Sequence, residues 1–273
     1  MDIGSAKPTA TELLETPHAL VDIREPWETY SAAEFCDDAK KLIDKAKTAG
    51  RIPVLVGGTM MYFRSLLDGL ADMPPADGTV RAQILSEAER LGWDHMHNEL
   101  TRIDPEAAAR IHPNDPQRLQ RALEVYRLTG DTITSRQRDA TVPVLDGPVV
   151  RTGLFPDDRK RLHDVIGERF DEMLATGLVD EVNAFNRCDR IHRDLPSQRA
   201  VGYRQVWDAL CGDFPEESIA ERGKAATRQL AKRQLTWMRS MQELVTFDPY
   251  TIPTAQIAGH VVQLIEDLSL IHI

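Results

Sequence analysis

The segment 222–240 carries positive charge with no acid to balance it. It reads RGKAATRQLAKRQLTWMRS and contains six arginines and lysines. On a helix, Arg228, Lys232 and Arg239 would lie within about 40° of one another, opposite an apolar face. That face would contain Ala226, Leu230, Trp237 and Met241. A solvated basic surface is one interpretation. The missing acids favour a track for nucleic-acid phosphates, since surface helices usually mix both signs.

Two arginines flank a glycine in the segment 194–207, which reads DLPSQRAVGYRQVW. Pro196 and Gly202 bracket a tight turn that would present Arg199 and Arg204. A guanidinium group matches two phosphate oxygens at once, so this turn is suited to binding a phosphate. A structural turn with surface arginines explains the same spacing.

Two shorter runs also contain residue types that bind ligands. Val54–Thr59 reads VLVGGT, an apolar strand ending in two glycines, and open α/β sheets bind ligands at that edge. A plain strand-to-helix turn is an equally good interpretation. Gln117–Arg121 reads QRLQR and places Arg118 and Arg121 on one helix face, where they could contact bases. By itself this second run is unspecific.

The composition is that of an ordinary globular protein of 273 residues, with 42% hydrophobic and 28% charged residues. The net charge of −10 argues against nucleic acid, but the acids are concentrated elsewhere, as in 25–34 and 171–181. No apolar run reaches the roughly 20 residues of a membrane helix. Cys36, Cys188 and Cys211 have neither a CxxC nor a metal-binding spacing, which indicates a reducing cytoplasm.

Strand and helix patterns alternate at the start of the chain. Apolar runs at 19–23 and 52–56 predict strands, and the second predicts a parallel sheet covered on both faces. Between them, Ser31 and Glu34 form a capping box for a helix at 31–49.

A helical section interrupts this pattern. A proline-rich break at 71–78 precedes helices over 79–130, and a strand returns at 149–155, before long helices at 158–187 and 216–241. We therefore expect an α/β fold. The expected domains are an α/β core with C-terminal helices at 1–75 and 146–273, and a helical insertion at 76–145.

Six motifs occur in an order that resembles one family. They are MDIGSAKP at 1–8, HALVDI at 18–23, VLVGGTMMYF at 54–63, HPNDPQRLQRALEV at 112–125, DLPSQRAVGYRQ at 194–205 and TRQLAKRQLTWMR at 227–239. From residue 1 to about residue 245 the chain closely resembles the bacterial tRNA dimethylallyltransferases. Ser5 stands where the family often has threonine.

The resemblance implies a P-loop NTPase-like parallel-sheet core with a helical inserted domain. It implies transfer of a dimethylallyl group from dimethylallyl diphosphate to N6 of adenine 37, assisted by Mg²⁺. The RNA substrates would be tRNAs that read codons beginning with U, bound at the anticodon stem-loop. We expect a cytoplasmic monomer that does not associate with membranes.

The family's functional positions can be carried over to this sequence. We expect catalytic roles for Arg199 and Thr59, and diphosphate binding by Gly57, Gly58 and Arg199. The resemblance implies that Arg199 lies near the diphosphate and that Thr59 belongs to a segment that contacts tRNA. It implies tRNA contacts by Arg81 and three runs: Gln117, Arg118, Leu119, Gln120 and Arg121; Arg199, Ala200, Val201, Gly202, Tyr203 and Arg204; and Lys232, Arg233, Gln234, Leu235, Thr236, Trp237, Met238 and Arg239. No metal ligand is expected within these 273 residues.

One part of the family's pattern is not found in this sequence. In the family, MDIG[ST]AKP follows a strand, a GxTxSGK[TS] phosphate loop, a helix, and a strand with the aspartate proposed as general base. No GxxxxGK[ST] occurs here, so we expect a gene fragment or a start assigned too late. We also expect little or no transferase activity from this chain, and exposed sheet edges.

Other functions stay open on the sequence. The chain could be a non-catalytic remnant that binds tRNA, or a prenyltransferase for a free adenine nucleotide. The helical section and the segment 222–240 disfavour the second, because a small nucleotide needs neither. The six ordered motifs disfavour a generic P-loop kinase relative. The apolar tail Leu268–Ile273 either packs on the core or is an artefact of the reading frame.

Overall fold

A computed structural model describes residues 1–138 and 144–270 of the chain, so part of the tail at 268–273 lies outside the described residues. Within the described ranges the fold is mostly helical with a small parallel sheet, which confirms the expected α/β class. In chain order the elements are α1 (Ala10–Glu15), α2 (Ala32–Thr48), α3 (Met60–Asp68), α4 (Gly78–Leu91), α5 (Trp93–Ile103), α6 (Pro105–Arg110), α7 (Pro116–Thr129), α8 (Ile133–Arg138), β1 (Arg151–Leu154), α9 (Arg159–Ala175), α10 (Leu178–Asn186), α11 (Tyr203–Leu210), a 3₁₀ helix (Glu216–Ser218), α12 (Ile219–Ser240), β2 (Leu244–Phe247) and α13 (Thr254–Leu270).

The sheet joins two strands that are far apart in the sequence. β1 pairs with β2 in parallel, with Arg151 opposite Leu244 and Leu154 opposite Phe247. Parallel neighbours need a long crossover, which α9 to α12 provide here. The strand predicted at 149–155 is therefore confirmed, over a slightly shorter range.

The strands predicted at 19–23 and 52–56 are wrong. Neither segment joins a ladder among the described residues. Leu20 has a φ of +64°, which a strand does not accommodate. Val56 is 87% exposed instead of buried. An apolar run becomes a strand only when a neighbour pairs with its backbone, and no described segment does so here.

The chain forms two compact units. Unit 1 comprises Met1–Phe35, Lys41–Met60 and Gly147–Ile273, and unit 2 comprises Cys36–Lys40 and Met61–Asp146. The core of unit 1 contains Phe170, Leu178, Val182, Tyr203, Val206 and Trp207. The core of unit 2 contains Ile84, Met96, Leu100, Leu119 and Leu123. The domain boundaries expected from the sequence stay a prediction.

Aspartate caps fix where α4 and α7 of unit 2 begin. Asp77 accepts from the Val80 amide at 2.8 Å and starts α4. Asp115 accepts from the Arg118 amide at 3.2 Å and starts α7, with Pro116 in its first turn. An aspartate cap followed by proline suits a helix start, because it satisfies a free amide and presets φ. These starts set the orientations of the basic side chains on α4 and α7.

Candidate nucleic-acid interface

Helix α12 presents exposed cations in unit 1. Lys232 and Arg233 are exposed, and neither makes an ion pair with any acid that the structure describes. Arg239 is also exposed and lies over the ring of Phe155 at 5.0 Å, while the more buried Lys224 donates to Asp171 at 2.6 Å. The exposed side of the helix therefore carries positive charge that is not neutralised within the described chain, which suits it to binding phosphate.

The apolar face predicted for this helix is partly wrong. Trp237 is 37% exposed, whereas Leu235, on the side of the helix expected to be cationic, is only 7% exposed. The first half of α12 packs on α9 through Gly223, and the second half places Met238 against β1. Because the packing partner changes along the helix, the buried side shifts with it. Trp237 is thereby left beside the exposed cations.

The turn before α11 holds the arginines predicted to grip phosphate. Gly202 precedes the helix with a φ of +93°, a conformation that favours glycine. The Nη2 of Arg199 donates to Asp194 at 3.3 Å, and the Nε of Arg204 donates to Asp208 at 3.4 Å. Their side chains are 40% and 41% exposed. Both arginines are partly exposed and their ion pairs are long, so a phosphate can compete for either guanidinium.

Unit 1 also brings part of the glycine run to helix α12. The side-chain amide of Gln234 donates to the carbonyl of Gly58 at 3.1 Å. Gly57, Gly58 and Thr59 are exposed, and Thr59 directly precedes α3. The predicted diphosphate-binding glycines and one predicted tRNA-binding residue are therefore neighbours.

In unit 2 the predicted arginines converge on one buried carboxylate. Glu124 of α7 has a fully buried side chain that accepts from the Nε of Arg81 at 2.9 Å and from Arg121 at 2.7 Å. The amide of Asp77 donates to it at 2.9 Å. Burial opposes ionisation, but the hydrogen bonds from Arg121, Arg81 and Asp77 outweigh it and hold the pKa of Glu124 below its ordinary value. Glu124 is therefore a charged anchor for both arginines.

The rest of the QRLQR run is divided between surface and core. Arg118 is 71% exposed and pairs with Asp115 at 3.4 Å, while Gln120 donates to the Arg81 carbonyl at 3.1 Å. Leu119 is wholly buried, so its side chain positions the helix instead of facing a ligand. The same holds for Tyr203 in unit 1, which is also wholly buried.

Sequence reasoning missed two carboxylates that organise these segments. One is Glu124, whose signal was its place three residues after Arg121 on α7, the spacing at which opposite charges pair on a helix. The other is Glu181, which accepts from the Tyr203 hydroxyl at 2.9 Å and from the Ile3 amide at 3.2 Å. Burial and the neighbouring Glu181 raise the pKa of Tyr203. No local pattern marks Glu181, because its partners are distant in sequence.

Comparison with known proteins identifies the family. The family model described as IPP transferase matches residues 1–241. The chain belongs to the IPP transferase family. The resemblance drawn from the six motifs is thereby confirmed. A relative of this IPP transferase, the tRNA dimethylallyltransferase of Acidovorax sp. (strain JS42), is 52% identical over 246 residues, which are 89% of this chain and 76% of that protein.

Solved structures of similar proteins share the fold of this IPP transferase. The full-length tRNA isopentenylpyrophosphate transferase of Bacillus halodurans has a TM-score of 0.68 and 35% identity, covering 100% of this chain and 86% of that one. A eukaryotic dimethylallyltransferase acting on tRNA has a TM-score of 0.76, covering 97% of this chain and 69% of that one. At 24% identity the second comparison shows the fold alone. No described helix of this chain is long and apolar enough to cross a membrane.

Proposed function

We propose that this chain binds the anticodon stem-loop of tRNAs reading codons that begin with U. We further propose that it serves the transfer of a dimethylallyl group from dimethylallyl diphosphate to N6 of adenine 37. The observation that carries the proposal is the exposed side of α12, where Lys232 and Arg233 have no acid partner among the described residues. Exposed cations of this kind, in a chain of net charge −10, suit a phosphate backbone. The related proteins named tRNA dimethylallyltransferase supply the reaction class.

The proposed chemistry needs positive charge at the leaving group. The bond between C1 of the allyl group and oxygen breaks, and its electron pair leaves with the diphosphate. N6 of adenine bonds to C1 and releases a proton that ends in solvent. We assign Arg199 to the charge of the departing diphosphate. Gly57 and Gly58 would let it approach the backbone, with the hydroxyl of Thr59 beside them.

Single-stranded loop bases are the part of an RNA that side chains read most readily. The indole of Trp237 is 37% exposed on the helix that carries Lys232 and Arg233. Aromatic side chains beside cations are the usual means of stacking an unpaired base while holding its phosphate. Trp237 therefore supports a loop as the ligand in preference to a duplex.

Mg²⁺ enters the proposal through the diphosphate, a common ligand of this ion. In the part of the chain that the structure describes, no three His, Cys, Asp or Glu side chains could hold a metal ion together. We therefore assign no protein ligand to Mg²⁺ and derive no step from it. The cytoplasmic location and the monomeric state stay predictions.

The test uses a fluorescent anticodon stem-loop in which adenine 37 is unmodified. Its displacement from the protein by competitors is measured by fluorescence anisotropy. We expect unlabelled stem-loop to displace the probe, and a fully paired RNA of equal length to do so at least about tenfold less well. Excess AMP should have no effect. Displacement by AMP would favour the alternative, prenylation of a free adenine nucleotide, and equal displacement by the duplex would overturn loop recognition.

A further inference from the structure

Glu124 in unit 2 is saturated with donors although its side chain is fully buried. Its Oε1 accepts from the Asp77 amide and from Nε of Arg81, each at 2.9 Å. Its Oε2 accepts from Nη2 of Arg81 at 3.2 Å and from Nη1 of Arg121 at 2.7 Å. Arg81 keeps its Nε–Nη2 edge toward the carboxylate, which fixes its guanidinium plane, and Arg121 is held by the carboxylate at Nη1.

The side chains in direct contact in this cluster are two cations and one anion. Two arginines share one carboxylate, and their side chains are 43% and 29% exposed. Arg121 donates its second terminal nitrogen to the Pro74 carbonyl at 2.7 Å. The Nη1 of Arg81 has no partner among the described residues. A partly exposed guanidinium with an open edge, held in one orientation, is prepared to receive a phosphate oxygen.

We propose that Glu124 is a positioning residue, which holds Arg81 and Arg121 in the orientation that binds an RNA phosphate. The inference rests on the RNA-binding function proposed above. It goes beyond that function, because it gives a negatively charged residue, Glu124, a part in strengthening the binding of negatively charged RNA. An arginine that is already oriented loses less side-chain freedom on binding than one that moves in solvent. Gln120 adds to this order by donating to the Arg81 carbonyl at 3.1 Å.

The proposal predicts a change in RNA affinity opposite to the change that charge alone predicts. Glu124→Gln removes a negative charge, so electrostatics alone would tighten RNA binding and steepen its salt dependence. If Glu124 positions the arginines, the substitution instead weakens stem-loop binding by about tenfold, despite the added positive charge. A purely structural role would lower the melting temperature without weakening binding at temperatures where the variant is folded.

The matched control is Glu87→Gln. Glu87 lies on α4 in the same unit and pairs with Arg127 at 2.7 Å, so the substitution removes the same charge away from Arg81 and Arg121. We expect its stem-loop affinity to equal or exceed that of the unchanged chain. Affinities are measured by anisotropy at several salt concentrations, and folding is checked by circular dichroism.

A second pair of variants keeps the test valid if Glu124→Gln does not fold. Arg81→Lys retains the charge but not the two-point contact with Glu124, and Arg90→Lys is the same change elsewhere on α4. We expect only Arg81→Lys to weaken binding, again by about tenfold. If Glu124→Gln and Arg81→Lys both bind as tightly as the unchanged chain, the positioning role is wrong and the RNA-binding function stands. If the unchanged chain does not bind the stem-loop, the proposed function itself fails.

Discussion

Phe170 leaves no room for a side chain at position 223 of α12. A Cβ built on Gly223 would lie within the aromatic ring, with Cε2 only 2.6 Å away, and Phe170 is 3% exposed. We therefore expect Gly223→Ala to lower the free energy of unfolding by about 1–3 kcal/mol, because the ring must move in a packed core. Urea denaturation followed by tryptophan fluorescence measures the change.

Gly259 provides the control for that substitution. It lies inside α13, and a Cβ there would meet nothing within 4 Å. Alanine at this position should be neutral or stabilise by up to about 1 kcal/mol, since it restricts the unfolded chain and favours a helix. Equal destabilisation by both alanines would show that the contact with Phe170 is not what requires glycine.

At the residue scale, the sequence predicts partly exposed arginines better than it predicts the acid that holds them. Arg81 and Arg121 were expected from the family resemblance, and both are partly exposed and oriented by a shared acid. Glu124 was not expected, because its four hydrogen bonds depend on how α4 and α7 pack. The burial of this carboxylate follows from the packing of the two helices, so the sequence alone does not indicate it.

At the element scale, α12 allows paired and unpaired cations on one helix to be compared. Lys232→Gln and Arg233→Gln should each weaken stem-loop binding and lower the slope of log affinity against log salt by about one. Lys224→Gln is the matched control, because Lys224 already donates to Asp171 at 2.6 Å and its charge is neutralised. Salt titrations of all three variants measure the slopes. Equal slopes for all three variants would contradict the proposal that this surface binds RNA phosphates.

Local patterns predicted helices well and strands poorly. The capping box of Ser31 and Glu34 is present with both hydrogen bonds at the start of α2. One long helix was predicted at 158–187, but Gly177, with a φ of +106°, separates α9 from α10. The strand at 52–56 failed because a strand depends on a distant neighbour, whereas a helix start depends on residues three apart.

At the scale of the whole molecule, the run at 52–56 is an exposed apolar surface. Ile52, Val54 and Val56 are 64%, 75% and 87% exposed. Such a β-branched run favours non-native pairing between chains, so we expect the predicted monomer to aggregate as its concentration rises into the micromolar range. Val54→Lys combined with Val56→Lys should reduce that association, because charge opposes edge pairing.

Val262→Lys is the control for this pair of substitutions. Val262 is 53% exposed on α13, where the backbone hydrogen bonds are made within the helix. We expect it to change self-association little, as measured by light scattering and sedimentation velocity. An equal effect of Val262→Lys would mean that general hydrophobicity, and not the run at 52–56, drives association.

The central claim is that these 273 residues bind the tRNA stem-loop, although no GxxxxGK[ST] loop for the diphosphate occurs among them. The most direct measurement assays this chain and the Acidovorax relative in parallel, for stem-loop affinity and for transfer from labelled dimethylallyl diphosphate. We predict affinities within about tenfold of each other and transfer by this chain at least about tenfold slower. Transfer at the relative's rate, or stem-loop affinity weaker by much more than tenfold, would contradict the claim.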